Sequence, residues 1–167
     1  MRSKLKAMKN PKEFDVIIWG ASGFTGRLVV EYIFKKYGVG KSLHWAMAGR
    51  NQAKLEKVRA AVADARVPIV TADSHDRPSL DAMVGRTKVI CTTVGPYAKY
   101  GSELVAACVE HQVHYCDLTG EVQWMRRMID KHHEAAVANG TKIVHTCGFD
   151  SIPSDIGVYF VQKAAQE

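Results

Sequence analysis

The sequence predicts an α/β fold: a doubly wound parallel sheet of about six strands with helices on both faces. Three observations predict it. Short apolar runs alternate with helical periods along the chain, and that alternation calls for a parallel sheet covered on both sides. The runs are rich in branched apolar residues without polar alternation, as strands buried on both faces are. The first run passes straight into a turn with three closely spaced glycines, "VIIWGASGFTG" (16–26).

The elements follow in order. "DVIIW" (15–19) reads as a buried strand, and Leu28, Val29, Tyr32 and Ile33 recur at helical spacing between Gly23 and Lys36. Gly38 supplies the helix stop. "HWAMA" (44–48) is the second strand, and Asn51 is placed to cap a helix over 51–65. "VPIVTA" (67–72) is the third strand, with a short helix from Pro78 to Val84. "KVICTTV" (88–94) is the fourth and breaks at Gly95-Pro96, before a helix from Gly101 to His111. "VHYCDL" (113–118) precedes a longer helix from Glu121 to Ala138, ended by Asn139-Gly140. "KIVHTC" (142–147) is the sixth strand, and a last helix spans Asp150 to Lys163.

Composition narrows the function classes. The 167 residues are 47% hydrophobic, enough for one good core in one domain. No run reaches the roughly 18–20 apolar residues of a membrane span. The opening "MRSKLKAMKN" lacks the apolar stretch of a secretory signal and reads as a solvated basic tail. Cys91, Cys108, Cys116 and Cys147 contain no C-x-x-C pair, which suits reduced thiols and a cytoplasmic setting. Net charge is +6, but the basic residues are scattered among acids, and Arg2, Lys4, Lys6 and Lys9 lie in the tail. No nucleic acid is therefore expected as partner; a basic surface also suits an anionic small ligand. Cys108, His111, His114 and Cys116 lie close in sequence, yet a helix and the following strand would hardly aim all four at one metal ion. Core cysteines and surface histidines are the better reading, and no metal is expected.

In a doubly wound sheet the ligand sits beyond the carboxyl ends of the strands. Gly20 permits the tight turn out of the first strand, Gly23 lets backbone N–H groups approach a pyrophosphate, and Gly26 lets the helix pack on the sheet. The helix N-terminus then faces the phosphates, with Ser22, Phe24 and Thr25 beside them. This is the Rossmann fold's dinucleotide turn, although the G-x-x-G-x-x-G spacing is one residue longer at the front than the common NAD fingerprint. A cofactor with a free ribose 2′-hydroxyl is usually held by an acid at the end of the second strand. Between Glu31 and Glu56 this chain has none, and Arg50 stands there instead, in "AMAGRN". A guanidinium attracts a 2′-phosphate through charge-assisted bonds. NADP is therefore the expected cofactor, with Asn51 as an added donor.

Asp73 and Ser74, after the third strand, are placed to touch the adenine side, though Asp73 also suits an ordinary strand-to-helix turn. Thr93, Gly95, Pro96 and Tyr97, after the fourth, lie near the nicotinamide end. "DLTGE" (117–121) and "CGFDSIPSD" (147–155) follow the last two strands. Asp117, Glu121 and Asp150 there read either as a substrate-cleft lining or as helix N-terminal residues, with Thr119 and Ser151 as partners in capping.

Taken together, "GASGFTG", "AGR", "VGPY…YG", "DLTGE" and "CGFDSIPSD", in that order over roughly residues 14 to 160, resemble the saccharopine dehydrogenase-like oxidoreductases, a group that includes trans-acting enoyl reductases. The resemblance implies a Rossmann domain, an NADP-type cofactor and oxidoreductase chemistry. Hydride transfer to an imine and to a lipid-like enoyl substrate both remain open. Family members are usually more than twice this length, with a second domain that forms much of the substrate site. By that measure residues 1–13 are a tail and 14–167 a dinucleotide-binding domain, the N-terminal part of a longer protein or a truncated gene product. Such a chain binds cofactor without completing catalysis, and the apolar patches it leaves bare favour a homodimer.

Two rivals stand beside this reading. Tyr159 and Lys163 have the Tyr-x-x-x-Lys spacing of short-chain dehydrogenases, with Thr146 thirteen positions before Tyr159. The same spacing recurs at Tyr32 and Lys36 inside the first helix, so it arises easily by chance. The other rival is a non-enzymatic NADP-binding or sensing module, consistent with the lack of a clear acid–base pair.

Overall fold

Ile17, Ile18 and Trp19 are consecutive and all but inaccessible to solvent, which requires a strand covered on both faces. They belong to β1 (Phe14–Trp19). The other strands are β2 (Trp45–Gly49), β3 (Ile69–Thr71), β4 (Thr87–Thr92), β5 (His114–Cys116) and β6 (Ile143–Val144). In the computed structural model, which describes residues 11–166, they form one sheet in the order β3-β2-β1-β4-β5-β6, every neighbouring pair parallel. The basic residues Arg2, Lys4, Lys6 and Lys9 lie outside the described residues.

The helices are α1 (Phe24–Tyr37), α2 (Gln52–Val62), α3 (Arg77–Val84), α4 (Tyr97–Tyr100), α5 (Ser102–Glu110), α6 (Val122–Asn139) and α7 (Ile152–Ala164). Alternate β1 side chains feed two cores. Ile18 joins Val30 of α1 and Leu55 of α2, whereas Ile17 and Trp19 join Leu80 of α3, Leu104 of α5 and Trp124 of α6. The strand order reverses between β1 and β2 on one side and β4 on the other, which opens the crevice where ligands of such sheets lie.

The expected helix ends are present. Asn51 Oδ1 accepts the Lys54 N–H at 2.9 Å, α1 ends at Gly38, and α6 ends at Gly140 in the left-handed conformation. Several bounds are shorter than the apolar pattern suggests. Helix α2 stops at Val62 rather than 65, because Asp64 Oδ1 accepts the Arg66 N–H at 2.8 Å and closes a local turn. Strand β6 keeps only two of six expected residues. Beyond Val144 the chain is drawn off the sheet: His145 Nδ1 lies 2.7 Å from Asp117, and Thr146 takes a positive φ of 61°. Helix α4 is an addition, packed into the segment read as a Gly-Pro turn. No residue of α7 is buried, and Ile156, Val158, Tyr159, Phe160 and Val161 are each more than half exposed. Among the described residues no helix is long and apolar enough to cross a membrane.

Candidate cofactor site

The turn after β1 is tied to both neighbouring strands. Gly20 and Ala21 N–H donate to Ala48 O at 3.0 and 3.1 Å, and Thr93 N–H donates to Trp19 O at 3.0 Å. Gly20 has φ 91°, and a Cβ there would stand 2.6 Å from Val94 Cγ2. A Cβ on Gly26 would stand 2.1 Å from Gly20 O. That contact is forbidden, so α1 can lie this close to the turn only with glycine at 26. The first N–H groups of α1 have no partner within the helix. No side chain caps them, and no acid stands in the first turn. The positive end of the helix is left uncompensated, as an anion site requires.

Above this turn lies a cavity of about 410 Å³. Trp19, Gly20, Ser22 and Gly23 form its floor at β1 and the start of α1. Gly49 and Arg50 wall it at the end of β2, Ser74 after β3, and Thr93, Val94, Gly95 and Pro96 after β4, with Tyr100 from α4. The indole Nε1 of Trp19 is buried without a hydrogen-bond partner among the described residues. An uncapped helix start and a guanidinium are the chemistry of a site for a phosphorylated nucleotide.

Eight expected residues meet on this wall: Gly20, Ser22, Gly23, Arg50, Ser74, Thr93, Gly95 and Pro96. Six do not. Phe24 is 84% exposed, Thr25 faces a separate surface depression with Leu28 and Tyr32, and Gly26 is buried in helix packing. Asn51 is occupied as the α2 cap. Asp73 accepts the His75 N–H at 2.9 Å, the turn role weighed for it. Tyr97 is buried, its phenol donating to Thr92 O at 3.2 Å, and burial pushes its pKa up to about 12. Reading from sequence missed Trp19, Gly49, Val94 and Tyr100. The first three adjoin expected residues at strand ends, whereas Tyr100 depends on α4.

The carboxylates after β5 are tied into the fold by their own hydrogen bonds. Asp117 has a fully buried side chain that accepts from Tyr115 Oη (2.9 Å), Thr119 N (3.1 Å) and Thr146 N (3.1 Å), with His145 Nδ1 at 2.7 Å. Glu121 accepts the N–H groups of Tyr97 and Ala98 at 2.6 and 2.8 Å. It thus caps α4, not its own helix. Thr119 Oγ1 accepts the Glu121 N–H at 3.1 Å, whereas Ser151 makes no side-chain cap and Asp150 is exposed. Cys108 is buried, His111 Nε2 sits 3.1 Å from Asp81, and His114 Nδ1 accepts the Lys142 N–H at 3.1 Å. These groups face separate partners. Tyr159 is 66% exposed, and no α7 residue lines the cavity.

Sheet order, turn and cavity together define a dinucleotide-binding Rossmann domain. Residues 16–144 match the family model "Saccharopine dehydrogenase NADP binding domain". The chain belongs to that family, and it is an NADP-binding domain. A Mycobacterium tuberculosis relative is 45% identical over 159 residues, covering 94% of this chain and 37% of its own length. Trans-acting enoyl reductases of Mycobacterium leprae and Mycobacterium bovis are 43% and 41% identical over 158 residues, covering 93% of this chain and 37% of theirs. The chain thus spans little more than a third of these relatives. Saccharopine dehydrogenase (L-Glu forming) from Saccharomyces cerevisiae shares the fold, with TM-score 0.66 and 14% identity over 82% of this chain and 28% of its own. So does triphenylmethane reductase from Citrobacter sp., solved with NADP(H): TM-score 0.59 and 16% identity over 78% of this chain and 48% of its own.

Proposed function

We propose that this chain is the cofactor-holding part of an oxidoreductase that positions NADPH for reduction of an enoyl substrate. The observation that carries the reading is the cavity itself, which runs from Arg50 across the uncapped start of α1 to Gly95 and Pro96. In this arrangement the Ser22 and Gly23 backbone holds the pyrophosphate, Arg50 the 2′-phosphate, and Thr93, Gly95 and Pro96 flank the nicotinamide. When bound, the cofactor supplies a hydride; the chain's residues orient it and shield one side from water. The enoyl substrate, rather than an imine, follows from the names of the 41% and 43% identical relatives.

Residues 14–167 act as the dinucleotide-binding domain, with the basic 1–13 segment outside it. The relatives' further length supplies the substrate site, and the bare apolar side of α7 is where it adjoins. In isolation the same side supports a homodimer. Four free thiols suit a cytoplasmic setting. The test is titration with NADPH and NADH, followed by an assay of NADPH oxidation with an enoyl thioester, with and without a full-length relative's C-terminal part. Tight NADPH binding with turnover only in the second mixture is expected. Turnover by the chain alone, or no preference for NADPH, contradicts the reading.

A further inference from the structure

We infer that Glu121 is the positioning residue for the nicotinamide side of the cavity and that it acts without touching the cofactor. The inference rests on the cofactor reading above. In the sheet, β1 lies between β2 and β4. A dinucleotide whose 2′-phosphate meets Arg50 at the end of β2, and whose pyrophosphate crosses the Gly20 turn, therefore lays its other half over Gly95 and Pro96 after β4.

That wall is poorly equipped to hold itself. Gly95 has no side chain, Pro96 has no N–H to donate, and the two N–H groups that follow open a four-residue helix with no partner inside it. Both are taken by one carboxylate 23 and 24 residues further on: Glu121 Oε1 from Tyr97 N at 2.6 Å and Oε2 from Ala98 N at 2.8 Å. Charge-assisted bonds of this kind are roughly twice as strong as neutral ones. Glu121 does not line the cavity. Its loop is fixed in turn by Thr119 and by the buried Asp117. The rest of α4 leans on the same elements: the Tyr97 ring lies 5.5 Å from that of Trp124, and Leu118 N–H donates to the Tyr97 phenol at 3.4 Å. The loop after β5 thus sets the cavity wall after β4.

The consequence is selective. Release of this grip loosens the wall under one half of the cofactor and leaves Arg50 and the glycine turn intact. Two probes separate the halves: NADPH, and adenosine 2′,5′-bisphosphate, which lacks the nicotinamide side. For Glu121→Ala the NADPH Kd is expected to rise about tenfold, a loss the size of one charged hydrogen bond. The bisphosphate Kd should stay within about twofold of the starting value. Glu121→Gln keeps a neutral acceptor and should fall between; being isosteric, it carries the test if the alanine variant does not fold. Arg50→Ala weakens both probes. Equal weakening of both probes by the Glu121 variants, or unchanged NADPH affinity in both, overturns the inference. Should the unsubstituted chain bind neither probe, the cofactor reading falls first and takes this one with it. Binding of both by the unsubstituted chain, with no selective loss in the variants, sinks the positioning role alone.

Discussion

Gly26, packed behind the cavity, and Arg50, on its wall, are constrained in different ways. Any Cβ at 26 meets Gly20 O at 2.1 Å, so Gly26→Ala must push α1 away from the turn. It should cost about 3 kcal/mol, at the upper end for overpacking, read as a lowered urea midpoint. Arg50 is exposed at the cavity mouth, so its loss leaves folding alone. Arg50→Ala should raise the NADPH Kd by about 10- to 100-fold, as loss of a bidentate charged contact does, with little change for NADH. Asn51 separates the two kinds of role in one side chain. Because its Oδ1 caps α2, Asn51→Ala should destabilise the fold by about 1 kcal/mol. An NADPH affinity that fell as steeply as in the Arg50 variant would instead make it a ligand.

At the scale of elements, legibility followed the local signals. The apolar runs, Asn51, Gly38 and Gly140 placed strands and helix ends because each acts on its own few residues. What escaped was set from a distance. Helix α4 exists because a carboxylate 23 and 24 residues away satisfies its first N–H groups, and nothing between Gly95 and Gly101 announces that. The shortness of β6 has the same origin, in the pull of buried Asp117 on His145 and Thr146. The site was legible where the backbone itself forms it, at Gly20 and Gly23. It was less so where exposed neighbours such as Phe24 and Thr25 share the motif but face elsewhere. Arg77 offers a test of packing between elements. It bridges Asp81 in its own helix to Glu103 and Glu110 on α5, at 2.9, 3.3 and 2.5 Å. Since these partners are substantially exposed, Arg77→Ala should cost only about 1 kcal/mol in a denaturation series.

For the whole molecule, the ion pairs give a signed pH dependence. Hydrogen bonds from Arg86, Lys88 and Arg77 hold Glu13, Asp15 and Asp81 below the usual carboxylate range. The unfolded chain therefore takes up protons first as pH falls, and stability present above roughly pH 4 is lost through the folded-state values below it. His132 adds a shallower step. Burial lowers its pKa, so the native state resists its protonation and loses stability as pH falls below about 6.5. A thermal series should stay level from about pH 7 to about 8, decline gently toward pH 5 and drop steeply below pH 4. A midpoint that rises on acidification contradicts those pairings. One cavity across the strand ends should receive NADP with its 2′-phosphate on Arg50. A crystal structure of the chain grown with NADP+ tests it most directly. The pyrophosphate should lie against the backbone of Ser22 and Gly23, the Arg50 guanidinium on the 2′-phosphate, and the nicotinamide over Gly95 and Pro96. A nucleotide bound outside this cavity, or one in it with its ends reversed and Arg50 in solvent, would contradict it.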